Sequence, residues 1–189
     1  GGAPLRHSPG MWASLNRGKQ SIVLDLKMEQ GRAALGKLAA TADIVLEGWR
    51  PGVAERLAAD YPTLSERNPR LVYCSISGFG QDGPWARRAG HDVNYLALSG
   101  YMGAQIAVEG RAWAPPILVS DLVSGLYAAI ATLAAAAGST HSGQGAYIDL
   151  SMTDSALSLL KPEIGNLSEG ATGDIKPNVT FITHYGVFP

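Results

Sequence analysis

The sequence predicts an α/β protein built on a doubly wound parallel sheet, and three observations predict it. Short apolar runs of strand length recur along the chain, segments with helical apolar spacing separate them, and glycines close two of the runs. Parallel strands with helices between them are the economical way to bury such runs on both faces.

The elements follow in order. "SIVLDL" (21–26) reads as a short strand, and "EQGRAALGKLAATA" (29–42) as a helix with Leu35, Leu38 and Ala39 on its apolar spacing. "DIVLEG" (43–48) is a continuous apolar run ending in glycine, as a buried parallel strand would be. "PGVAERLAA" (51–59) places Pro51 at a first helical position. "RLVYCSISGFG" (70–80) is a further strand, rich in β-branched residues and closed by glycines. A helix is expected over 92–99. The loop 108–120 then leads into Asp121 and an alanine-rich helix containing "GLYAAIATLAAAAG" (125–138). "GQGAYIDLSM" (143–152) is a strand, and "TDSALSLL" (153–160) opens a helix with Thr or Asp in its first turn. From residue 165 onward the chain reads as loop or linker. The expected organisation is a sheet-bearing segment over 1–160 and a linker over 161–189.

Composition narrows the function. A hydrophobic fraction of 46% and a charged fraction of 16% belong to a globular chain. A formal net charge of −1 supplies no basic field, so nucleic acid is not an expected partner. The single cysteine, Cys74, excludes an intramolecular disulfide framework and a cysteine zinc cluster, and suits a reducing compartment, the cytoplasm. His7, His141 and His184 have no metal-ligand spacing. The most apolar stretch, 125–138, is too short for a bilayer and reads as a buried core helix; "GGAPLRHSPG" lacks a signal peptide's apolar region. No membrane association is expected. The two ends read as those of a fragment.

Ligands of parallel sheets bind beyond the carboxyl ends of the strands. The loops there are "GWRPG" (48–52) and "SGFGQDGP" (77–84), whose glycines, Gly78 and Gly80 among them, let backbone N–H groups approach a ligand. Tight-turn geometry is the competing reading, and neither loop matches a dinucleotide fingerprint or a P-loop. Two side chains carry candidate chemistry. His91, in "RRAGHDVNYLALSG", titrates near neutral pH and suits proton transfer, or else caps the 92–99 helix or bonds Asp92. Asp121 sits at a helix start, where the dipole favours an ionised carboxylate and a plain cap stabilises by about 1 kcal/mol. Local pattern leaves both open.

Six ordered blocks add more. "NRGKQSIVLDLK" (16–27), "ADIVLEGWRPGVAERL" (42–57), "SGFGQDGP" (77–84), "AGHDVNYLALSG" (89–100), "SDLVSGLYAAIATLAA" (120–135) and "GQGAYIDLSMTDSALSLL" (143–160) resemble the class III CoA-transferase superfamily of the CaiB/BaiF type, which includes the α-methylacyl-CoA racemases. The resemblance implies a Rossmann-like large domain, a smaller second domain mostly lacking here, and a homodimer of interlocked subunits. It implies that Asp121 is catalytic: a nucleophile forming an acyl anhydride in transferases, an acid/base group in racemases. The "GHDVNY" pattern resembles the racemase branch, where His91 matches a catalytic base; the glutamate that pairs with it there would fall past Pro189. Arg56 matches an arginine that contacts the nucleotide phosphate, with a solvated helix face as the alternative. Arg17, Lys19 and Arg50 are helpers with weaker support, and Arg87 and Arg88 flank the catalytic loop. The N–H of Asp121 or Leu122 is a candidate donor to an enolate oxygen. Tyr95, Leu98, Tyr101 and Met102 are candidate walls of an acyl pocket.

The expected activity is racemisation at C2 of a 2-methyl-branched acyl-CoA thioester, with no metal or redox cofactor and with CoA as part of the substrate. The rivals are a CoA-transferase using Asp121 as nucleophile and a fragment that binds CoA esters without turnover.

Overall fold

The computed structural model describes residues 7–168. Three parallel strands, β1 (Ile44–Glu47), β2 (Val72–Ser77) and β3 (Ala146–Ser151), form a sheet in the order β1-β2-β3. Its helices are α1 (Pro9–Asn16), α2 (Glu29–Ala39), α3 (Val53–Arg56), α4 (Tyr61–Ser65), α5 (Asp92–Leu98), α6 (Tyr101–Glu109), α7 (Val119–Ser142), α8 (Met152–Leu157) and α9 (Lys161–Ser168).

Strand alternation sorts the core into two faces. On one, Tyr73 and Leu71 pack with Ala39 of α2 and Leu64 of α4, edged by Val45 and Tyr61. The Tyr73 hydroxyl donates to Ala59 O at 2.8 Å, so this buried phenol keeps a partner. On the other, Cys74, Leu150 and Ile148 pack against Ala128 of α7. Burial pushes the Cys74 thiol up to about 11, which leaves it a small apolar filler and a poor nucleophile at neutral pH. Helices on both faces make the sheet doubly wound, as its apolar runs predict.

Helix α7 departs from expectation. It runs for 24 residues, and by length and composition it is long and apolar enough to cross a membrane. The residues it turns inward are small: Ser120, Ser124, Ala128, Thr132 and Ser139. Small side chains let the helix lie close on the sheet, and two of the hydroxyls are satisfied within the helix: Ser124 Oγ donates to Ser120 O at 2.6 Å, and Thr132 Oγ1 to Ala128 O at 2.7 Å. The large side chains point out. Leu122, Leu126, Ile130 and Leu133 are each 58–65% exposed, so the stretch 125–138 is not the fully buried helix that its composition suggests.

Four more expectations are corrected. Residues 21–26 form no strand; Ile22 and Val23 are 64% and 81% exposed. A strand needs a neighbour for its N–H and C=O groups. Here the Leu26 and Lys27 carbonyls instead accept from the Arg32 guanidinium of α2. The helix expected over 51–59 shrinks to one turn, α3, because Gly52 at φ 79° detaches Pro51 from it and Ala58 at φ 50° ends it. The 153–160 helix starts one residue earlier and gives way to a 3-10 turn over Ser158–Leu160. Residues 161–168 are helical, as α9, not loop; the rest of the expected linker, 169–189, lies outside the described residues, as does His184. Helix α6 was not anticipated. Gly100 and Gly110, at φ 89° and 71°, mark its two ends.

Candidate active site

The site grows from two helix starts that meet above the carboxyl ends of the strands. The first is α5. His91 occupies its N-cap position, with extended backbone, and its own N–H donates to Asn94 Oδ1 at 2.9 Å. The second is α7, whose first turn carries Asp121.

Asp92 joins them. It is 4% exposed, and its Oδ1 accepts from Ser120 N at 2.6 Å, from Ser120 Oγ at 2.7 Å and, more loosely, from Asp121 N at 3.4 Å. One carboxylate oxygen on α5 thus takes up N–H groups that the start of α7 cannot satisfy within itself. Read along the chain, Asp92 marks only its own loop and helix start. Nothing local marks its reach, because its partners lie 28 and 29 residues further on.

This junction brings His91 and Asp121 together. Three influences act on the Asp121 carboxyl and lift it above the ordinary aspartate range. Partial burial is the largest, the Asp92 charge adds to it, and His91 opposes both. The side chain still reaches solvent, so the rise leaves it accessible to a ligand. Arg50, from the loop after β1, is brought to the same place: it and Asp121 both act on the Tyr95 hydroxyl, whose pKa is raised chiefly by burial.

Tyr95 is the packing centre of the site. Its hydroxyl donates to Gly90 O at 2.6 Å, and its ring meets Phe79 edge-on with centroids 5.2 Å apart. The ring fills the space where Gly78 and Gly90 lack side chains: a Cβ on Gly78 would lie 2.5 Å from it, and one on Gly90 2.7 Å. Gly78 therefore makes room for the Tyr95 ring, and Tyr95, 7% exposed, is no open acyl-pocket wall. Gly78→Ala is expected to lower stability by about 1–3 kcal/mol by overpacking. Thermal unfolding reads the loss; an unchanged midpoint contradicts this packing account. Gly80 takes φ 85°, and the next N–H, of Gln81, donates to Asp149 Oδ2 at 2.9 Å, so this loop is tied to β3. The turn explains its glycine.

Arg17, Arg56 and Arg87 are exposed, and Lys19 Nζ donates to Leu15 O at 2.8 Å, closing the last turn of α1. Arg88 lies over the Trp85 ring at 4.4 Å. The proposed oxyanion donors are engaged: Leu122 N bonds Leu118 O within the helix, and Asp121 N faces Asp92. Leu98 helps line a shallow cavity of about 270 Å³ with Phe79 and Trp85.

A second polar group was not foreseen. Glu47, Ser75 and Asp149 fall in one row across the three strands, and Ser75 Oγ donates to Glu47 Oε1. Burial, with Asp149 adding to it, raises the Glu47 pKa against the opposing Trp49 N–H. A cleft of about 520 Å³ beside this row is lined by Glu47, Glu55 and Asp60 as well as Tyr61, Tyr73 and Tyr147. Three carboxylates repel phosphate, which disfavours this cleft as a phosphate site.

A parallel α/β sheet here presents a carboxylate and an imidazole at paired helix starts, side chains of the kind that acid–base and nucleophilic chemistry uses. The chain belongs to CoA-transferase family III, whose family model matches residues 2–189. It is similar to the human α-methylacyl-CoA racemase, with 44% identity over 142 residues, covering 74% of this chain and 37% of that protein. It is also similar to the acetyl-CoA:oxalate CoA-transferase of Acetobacter aceti, with 41% identity over 152 residues, 78% of this chain and 38% of that one. A crystal structure of a CaiB/BaiF family protein from Brucella suis superposes with a TM-score of 0.80 at 32% identity, covering 87% of this chain and 44% of that one. The chain thus spans less than half the length of each. The resemblance read from the six blocks holds, and both named activities occur among the relatives.

Proposed function

We propose that the protein interconverts the two configurations at C2 of 2-methyl-branched acyl-CoA thioesters by 1,1-proton transfer. The observation that carries this reading is the convergence of His91 and Asp121 on one site from two helix starts. Inversion needs one group to take the α-proton from one face and another to return a proton to the opposite face. An imidazole suits either task near neutral pH, and a carboxyl raised above its usual range holds a proton more readily than an ordinary aspartate. The substrate brings its CoA with it, and no metal or redox cofactor has a part in the reaction. Arg50, which acts on Tyr95, and the exposed Arg56, Arg87 and Arg17 are the cations we assign to the phosphates, where charge-assisted bonds are strongest. The cytoplasm and a homodimer of the whole protein belong to the same proposal.

A second reading, a CoA-transferase, is favoured by the solvent-reaching Asp121 carboxyl and by the similarity to the oxalate enzyme. There a carboxylate oxygen of Asp121 attacks the thioester carbonyl carbon, and the CoA thiolate leaves to give an acyl anhydride. His91 has no necessary part in that step.

The variant His91→Ala separates the two. On a single epimer of a 2-methylacyl-CoA, followed by chiral separation, His91→Ala is expected to slow epimerisation about 10²- to 10³-fold. A variant that epimerises at the wild-type rate overturns the racemase reading. Epimerisation missing from wild type, with CoA passing to an added free acid at equal rates in wild type and variant, establishes the transferase.

A further inference from the structure

We propose that Asp92 is a positioning residue that locks the His91 and Asp121 helix starts together and sets the charge environment in which Asp121 exchanges its proton. The assignment rests on the reading of Asp121 as the reacting carboxylate.

The geometry carries it. Asp92 is the first helical residue of α5, directly after His91, and its oxygen is bonded to both polar groups of Ser120, the residue directly before Asp121. Ser120 is fully buried, and its Oγ also lies 3.4 Å from Asp92 O. Each candidate catalytic side chain is therefore one residue from this buried contact. Moving either helix start breaks it. The Asp92 carboxyl, bonded to N–H and O–H donors, lies close to Asp121 and opposes a negative charge there. The titratable and charged groups facing Asp121 are Asp92 and His91 from the start of α5, with Tyr95 on the same helix, and Arg50 from the loop after β1 acting on Tyr95. Of these, Asp92 alone both bonds the α7 start and acts against ionisation of Asp121.

The test separates charge from shape. Asparagine at 92 keeps an oxygen able to accept from Ser120 but removes the charge, so Asp92→Asn preserves the contact and deletes the electrostatic effect. The readout is a pH titration of the Asp121 carboxyl by ¹³C NMR on aspartate-labelled protein, the resonance being assigned by its loss in Asp121→Asn. Wild-type Asp121 is expected to titrate above the ordinary aspartate value. In Asp92→Asn the curve moves down. Where turnover is measurable, kcat falls about 10- to 100-fold with KM unchanged, because Asp121 loses its protonation balance while the contact and binding are kept. An ordinary aspartate titration in wild type overturns the proposal without any variant, as does an Asp121 curve that Asp92→Asn leaves unmoved. Because the titration needs no turnover, failure of the proposed activity and failure of this assignment are read separately.

Discussion

Asp121→Asn is expected to reduce turnover by about 10³-fold or more while the fold is retained. Both readings of the chemistry require the same carboxylate. In proton transfer it supplies one of the two acid/base groups, and in CoA transfer it forms the covalent bond, for which an amide is no substitute. Stability is a different matter. The side chain is solvent-reaching, and the bonds that hold the start of α7 run to Asp92 from the backbone N–H groups of Ser120 and Asp121. A substitution at such a position changes stability by no more than about 0.5 kcal/mol. Steady-state rates beside a thermal melt check the contrast. A variant with residual turnover near that of wild type removes Asp121 from the reaction, and one that fails to fold shows that its role is structural.

Gly145→Ala is expected to be the most damaging small substitution in the sheet. A Cβ there would lie 1.9 Å from the Leu71 carbonyl oxygen and 2.5 Å from its carbon. Both are backbone atoms, so no rotamer relieves the overlap. Gly145 N donates to Pro69 O at 2.7 Å and Ala146 N to Leu71 O at 3.2 Å, the bonds that bring β3 alongside β2. Moving the chain aside lengthens both at the point where the register of Val72 with Ala146 begins. The expected loss is about 3 kcal/mol, the upper part of the overpacking range. For a chain of this size that lowers the melting temperature by about 6–12 °C. Thermal denaturation followed by circular dichroism decides it, and a midpoint within a degree of wild type contradicts the close approach of these two strands.

The parallel strands at 44–47, 72–77 and 146–151 were legible because short apolar runs beside glycines stand out in the sequence, even though only β2 is buried along most of its length. The same pattern misleads at 21–26, where Ile22 and Val23 are exposed, since a run of residues does not encode whether a neighbouring strand is there to pair with it. The small residues that α7 turns inward and the leucines it turns outward show a related limit. Composition marks an apolar helix, but not which of its faces lies on the sheet.

In the site, His91 and Asp121 were legible as residues and their convergence was not. It depends on Asp92 reaching Ser120 across 28 positions, a contact without local signature. A pair of helix starts, one reading His-Asp and the other Ser-Asp, is the only trace of it in the sequence. Gly78 carries the opposite lesson. Its lack of a side chain suggests ligand approach when read along the chain, but the atoms that need the space belong to Tyr95, 17 positions later. The arginines remained undivided because an exposed cation has the same pattern whether it meets a phosphate or water. Arg50 is distinguished by the company of Tyr95, which only the fold supplies.

The most direct test of the account is hydrogen exchange at the α-carbon. The protein is incubated in D₂O with each epimer of a 2-methylacyl-CoA, and deuterium at C2 is followed by mass spectrometry in wild type, His91→Ala and Asp121→Ala. The account predicts incorporation from both epimers in wild type and, since each group serves one face of the carbon, its loss from one epimer in His91→Ala and from the other in Asp121→Ala. Wild-type protein that leaves C2 free of deuterium, or incorporation that survives loss of His91 and Asp121 alike, contradicts it.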